Sequence, residues 1–161
     1  MKIALVGNWP PPWGGVSVHV AALARVLARR GVDVRVLDIG RGDHASGPVR
    51  RARGAPRFSA RLAAVAAEGR LVHLHTNGAN PKSWLVALAG GRARRPFGPR
   101  GVLTVHSGLC PAWLRASPGR RALAALACSG YGRVVAVNAE IAGALADAGV
   151  PAGRIAVVPP F

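Results

Sequence analysis

Short apolar runs alternate with longer helical patterns along the whole chain, and no other feature of the sequence constrains the fold so strongly. The runs are Lys2 to Val6, Asp33 to Asp38, Leu71 to His75, Gly101 to His106, Arg133 to Val137 and Ile155 to Val158. All are short and rich in Val, Leu and Ile, the composition of strands covered on both faces. Between them the spacing predicts helices over Val16 to Arg30, Ser59 to Glu68, Pro81 to Gly90, Pro118 to Ser129 and Ala139 to Ala148. Strand and helix in regular succession make βαβ units. The expected fold is therefore an α/β, Rossmann-like domain of three layers, a parallel sheet of about six to seven strands with helices on both faces. At 161 residues the chain reads as a single domain, 1–161, long enough to bury roughly 70% of the surface its unfolded form exposes.

Local signals support the first and last helices. Val16, Val20, Leu23 and Leu27 fall at i, i+4, i+7 and i+11 and form one apolar stripe, with Arg25 and Arg29 on the opposite side and Gly31 as the stop. Ile141, Leu145 and Ala148 likewise share a face, Asn138 is placed to cap the helix start, and Gly149 closes it before Pro151. By contrast Gly40 to Arg57, with glycine, proline and five arginines, has no periodicity and is expected to be a long mobile loop.

The net charge of +16 is almost entirely arginine, since lysine occurs only at Lys2 and Lys82. Nucleic acid, an anionic membrane surface and acidic substrates are the partners such a charge suits. Arginine, alanine and glycine enrichment also has the look of a GC-rich coding bias, which produces charge without a partner. The arginine-rich segments Arg41 to Arg61 and Arg92 to Arg100 carry only Phe58 and Phe97 as stacking platforms, so nucleic-acid binding is the least supported of the three. Cys110 and Cys128 lack metal-ligand spacing and are too few for a disulfide scaffold; they read as buried reduced thiols. No apolar run approaches the roughly 18 residues of a spanning helix, and the amino terminus lacks a signal-peptide apolar region. The expectation is a cytoplasmic protein, with a peripheral place at the inner membrane face left open.

Ligands of an open parallel sheet bind outside the carboxyl ends of its strands. This sequence places there the loop Trp9 to Gly15, then His75, Thr76 and Asn77, then His106 and Ser107, and finally Asn138 with Glu140. Gly14 and Gly15 stand at the mouth of the first helix, whose unpaired amides and positive dipole end favour a phosphate. His73 and His75 flank Leu74, so the period of two puts both on one face. As metal ligands they need a third partner, for which His106 is the candidate, but no carboxylate or cysteine sits nearby and no metal is expected. His19 reads as flanking the core stripe. Glu140 either complements the helix dipole or serves chemistry. The dinucleotide fingerprint fails, because Gly7 and Gly14 are separated by six residues, three of them proline, and Asp38 alone is weak evidence for a ribose site. No Walker loop occurs either.

Pro11-Pro12-Trp13-Gly14-Gly15-Val16-Ser17-Val18-His19-Val20, Val72-His73-Leu74-His75, Leu103-Thr104-Val105-His106-Ser107-Gly108 and Val135-Ala136-Val137-Asn138 through Arg154-Ile155-Ala156-Val157-Val158-Pro159-Pro160 follow one another along the chain. Together they resemble the amino-terminal, acceptor-side domain of the retaining GT-B glycosyltransferases of family 4. The resemblance implies transfer of a sugar from a nucleotide-sugar co-substrate to an acceptor hydroxyl with retention and without a metal. It implies that Gly14 and Gly15 approach the donor diphosphate and that His106 lies near the transferred sugar as the catalytic group. Trp13, His75, Thr76, Asn77, Ser107, Asn138 and Glu140 are the expected contacts to acceptor or sugar. The chain stops at Phe161, where that family crosses into its donor-binding domain. The expectation is that a carboxyl-terminal half is required in cis or in trans, that the chain alone transfers slowly or not at all, and that the acceptor is a sugar, a lipid-linked or another small molecule. The alternative is a non-enzymatic Rossmann-like module that binds a nucleotide or polyanion.

Overall fold

A computed structural model of the chain describes residues 1–42, 47–93 and 98–160; Arg94, Arg95 and Phe97 of the second arginine-rich segment lie outside them, as does Phe161. Seven strands form one sheet: β1 (Lys2–Gly7), β2 (Asp33–Asp38), β3 (Val49–Arg51), β4 (Leu71–Thr76), β5 (Gly101–Val105), β6 (Tyr131–Ala136) and β7 (Ile155–Val157). Their order is β3-β2-β1-β4-β5-β6-β7, with every pairing parallel. Among the described residues six α-helices connect them: α1 (Gly15–Arg29), α2 (Ala55–Ala67), α3 (Pro81–Arg92), α4 (Cys110–Arg115), α5 (Pro118–Cys128) and α6 (Ala139–Asp147).

The chain winds in one direction from β1 to β3 and in the other from β3 to β7. Right-handed crossovers then place α1 on one face and the later helices on the opposite one. The stripe expected on α1 packs Val16, Val20, Leu23 and Leu27 with Ile3, Leu5 and Val36. The alternate residues Ala4, Val6, Leu37, Leu74 and Leu103 face a larger core with Phe58 of α2, Trp84 of α3, Leu114 of α4, Ala124 of α5 and Ile141 of α6. Helix ends follow the local signals. Asn138 Oδ1 accepts from the Ile141 amide at 2.9 Å, and Gly31, just beyond the α1 cap, has φ +74°, which an L side chain resists. Cys110 and Cys128 are free and buried, as expected, and burial pushes both thiols up to about 12.

The segment expected to be a loop from Gly40 to Arg57 instead holds β3 and the first turn of α2. β3 is three residues long, too short to show a period, and exists because Val49 to Arg51 pair with Val36 to Asp38. α2 starts at Ala55, four residues before the expected Ser59, because Pro56 in its first turn is compatible with a helix start. α4 was not anticipated. With one and a half turns it carries no readable stripe, yet it buries Cys110, Pro111 and Leu114.

Away from the carboxyl ends, Arg70 is anchored by Asp33 (2.9 Å) and Glu68 (2.5 Å), and Glu68 also pairs with Arg35. These hydrogen bonds hold both carboxyls below their ordinary range. Among the described residues no helix is long and apolar enough to cross a membrane.

Candidate functional site

The strand order reverses between β1 and β4, and at that point the helices on either side diverge and leave a crevice at the carboxyl ends. Four histidines stand there. His73 and His75 lie on the α1 face of β4, since Leu74 between them belongs to the opposite core. Their rings stack at 4.3 Å between centroids and 25° between planes. His106 follows β5 directly, its amide bonded to the Thr76 carbonyl at 2.9 Å, which fixes it beside the end of β4. His75 Nδ1 and His106 Nε2 share a hydrogen bond of 3.0 Å. His19, on the second turn of α1, closes the group, with ring centroids 4.9 Å from His106 and 5.4 Å from His75.

Ligand nitrogens of His19, His75 and His106 all lie within 4.8 Å of one another, the one grouping of that kind among the described residues. The expected third partner, His106, does meet His75, but the other member is His19, while His73 turns Nε2 to Thr104 Oγ1 at 2.8 Å. His19, expected from the sequence to flank the core stripe, instead faces the crevice. The signal was its place on the second turn of a helix that starts at the carboxyl end of β1, where one side must look over the crevice.

Burial dominates the electrostatics. It holds His73 and His106 down at about 4, pushes His75 well below its ordinary value and lowers His19; for all but His19 the neighbouring imidazoles add to the effect. At neutral pH the cluster is uncharged, each ring carrying one N–H donor and one acceptor nitrogen. His75 is 2% exposed, and among the described residues its Nε2 has no hydrogen-bond partner. Such a group is costly to leave unmade and is positioned to receive a polar ligand atom.

The loop from Trp9 to Gly15 is pinned from β2. Buried Asp38 accepts from the Trp9 amide at 3.0 Å and the Gly40 amide at 2.8 Å through one oxygen, so it ties the two loops together. Ser17 Oγ accepts from the Gly14 amide at 3.0 Å and fixes the start of α1. A Cβ added at Gly14 or Gly15 meets nothing within 4 Å, and neither position has a positive φ. The protein's own packing does not require glycine at either place. Trp13 is 70% exposed at the rim.

The remaining expected residues serve local structure as well. Thr76 Oγ1 accepts from the Gly78 amide, Asn77 Oδ1 from the Ala79 amide, and Ser107 Oγ from the Leu109 amide. Asn138 caps α6, and Glu140 pairs with Arg115 at 3.4 Å with both side chains largely exposed. Gly78 has φ +67°, and a Cβ there meets Val105 at 2.9 Å, so this turn admits only glycine; its carbonyl accepts from the Trp84 indole at 3.0 Å.

Two cavities open on the crevice. The smaller, about 210 Å³, is lined by Asn8, His75, Thr76, Asn77, Asn80 and Lys82 among others. It shares Asn8, Ile39, Asn77, Lys82 and Val86 with a cleft of about 820 Å³ that runs toward the start of α2. Lys82, Arg41, Arg53 and Phe58 in that cleft are not among the site residues expected from the sequence. They come from segments read as loop or plain helix, and only the sheet order brings them together.

The fold recurs in solved glycosyltransferases. Anabaena Alr3699/HepE in complex with UDP and glucose is similar over 99% of this chain, with 21% identity and a TM-score of 0.65. The apo lipopolysaccharide outer core galactosyltransferase WaaB is similar over 99%, with 14% identity and a TM-score of 0.63. The chain spans 44% and 45% of those two proteins. At such identities the likeness establishes a common fold. No curated protein sequence matches the chain. The family description Glycosyltransferase Family 4 matches residues 13–161, from the glycine turn to the last residue, and the chain therefore belongs to that family.

Proposed function

We propose that this chain is the acceptor-side half of a retaining glycosyltransferase, which moves a sugar from a nucleotide sugar to an acceptor hydroxyl. A carboxyl-terminal donor-binding domain, in cis or in trans, completes the cleft. The observation that carries the reading is the neutral cluster of His19, His75 and His106 at the crevice, beside the α1 terminus where nothing packs on Gly14 and Gly15. One relative in fold was solved with UDP and glucose, which agrees with a nucleotide sugar as donor.

In this reading the amides at Gly14 and Gly15 face the donor diphosphate, where backbone donors and the helix dipole stabilise the leaving group as charge develops. His106, uncharged and oriented by His75, hydrogen-bonds the transferred sugar. Trp13, Thr76, Asn77, Ser107, Asn138 and Glu140 border the acceptor and sugar. No metal takes part.

The test joins the chain to a family donor domain and follows nucleotide-sugar consumption. Turnover is expected in the joined enzyme, insensitive to exhaustive chelation, and at least about 100-fold slower in the isolated chain. His106→Ala is expected to lower kcat by about 10²–10³, the scale of losing one preorganised donor to the transition state. NMR of the product reports the anomeric configuration. Inversion would refute retention, and a chelator-sensitive rate restored by metal would refute the metal-free mechanism. No turnover with tight, salt-sensitive polyanion binding would replace the enzyme with a binding module.

A further inference from the structure

The larger cleft combines an apolar floor with cations that have no counter-charge among the described residues. Ile39, Ala52, Phe58 and Val86 supply the floor, and Arg41, Arg53 and Lys82 come from three separate segments. No carboxylate among the described residues lines it. Among the described residues none of these three cations forms an ion pair; Asp33 and Glu68 bond Arg70, Glu140 bonds Arg115, and Asp38 accepts from two backbone amides.

Two of the cations also sit where a cation is disfavoured. Arg53 immediately precedes the N-cap of α2 and Lys82 lies in the first turn of α3, and neither helix has an acidic residue in its first turn. The positive ends of two helices and three cations are thus gathered around one cleft. Such an arrangement is self-repelling when empty and is relieved by an anion. The floor, however, is unsuited to a small hydrophilic anion, since burying apolar surface favours an apolar part on the same ligand. Through Asn8, Asn77 and Lys82 the cleft is continuous with the cavity that reaches His75.

Resting on the reading of the chain as an acceptor-side half, we infer that the acceptor is an amphiphilic phosphate: a phosphate held by Arg41, Arg53 and Lys82, attached to an apolar chain that packs on Phe58 and Val86. The hydroxyl that receives the sugar, carried on a head group attached to that phosphate, then points along the groove to the histidines. Nucleic acid fits less well, because its phosphates lie on a hydrophilic surface and its bases would need exposed stacking platforms that the cleft lacks.

Titration calorimetry of the chain with farnesyl phosphate, farnesol and glucose 6-phosphate tests this. Farnesyl phosphate is expected to bind at least tenfold more tightly than either of the others and to weaken as salt is raised. The double variant Arg53→Ala, Lys82→Ala is expected to lose that tenfold advantage while farnesol binding stays the same. Equal binding of farnesol and farnesyl phosphate, equal binding of glucose 6-phosphate, or a double variant that binds like the parent would overturn the inference. Binding to vesicles containing phosphatidylglycerol without binding to monomeric farnesyl phosphate would overturn it too, assigning the charge to a surface and not to the cleft. Failure here is separable from failure of the parent reading. A joined enzyme that glycosylates a neutral soluble acceptor at a rate untouched by the double variant sinks only this inference, whereas absence of any transfer sinks the parent reading and leaves the calorimetry to decide the cleft.

Discussion

At the scale of single residues, burial of imidazoles is the property with the widest consequences. The unfolded chain binds protons to its histidines below about pH 6.5, whereas folded His73 and His106 wait until about 4. The folded values are depressed, so the contribution is complete above pH 6.5, is lost as pH falls from 6.5 toward 4, and stays lost below. For His73 alone that window corresponds to about 3 kcal/mol. Urea unfolding at a series of pH values should show stability dropping across it, and His73→Asn should flatten the slope. A parent profile already flat between those values would mean that the histidines are hydrated. Sequence placed His75, Thr76, Asn77, His106 and Ser107 at strand ends, and they are there. It could not tell that several of their side-chain oxygens also close turns, nor that His19 joins the cluster, because these are matters of direction in space.

At the scale of elements, long helices were legible because their stripes repeat over several turns, and capping residues marked their ends. β3 and α4 were not, since three strand residues or six helical ones hold too little repetition to separate from a loop. Their stability comes from partners distant in sequence. The turn after β4 shows such dependence at one position: its glycine combines a positive φ with close approach to Val105 and Cys110. Gly78→Ala is expected to destabilise the protein by about 1–3 kcal/mol, as strain at a special backbone conformation does, and to disturb the Thr76–Asn77 corner of the site. Denaturant midpoints measure the first effect. A change below about 0.5 kcal/mol would show that the turn relaxes freely.

At the scale of the whole molecule, the described residues place helices on both faces of one seven-stranded sheet. Two packed cores on opposite faces predict that the 161 residues fold alone in one cooperative transition, with coincident melting by far-UV and near-UV circular dichroism. Separated transitions, or secondary structure without a near-UV signal, would contradict that. The layered α/β architecture followed from spacing along the chain, because a period near 3.6 or 2 commits a segment to one face and parallel strands demand crossovers. The convergence of His19, His75 and His106, and the meeting of Arg41, Arg53 and Lys82 around an apolar cleft, followed only from the order of the strands. Spacing governs which way a segment faces, but neighbours across a sheet are set by pairing between segments tens of residues apart, which no local pattern encodes.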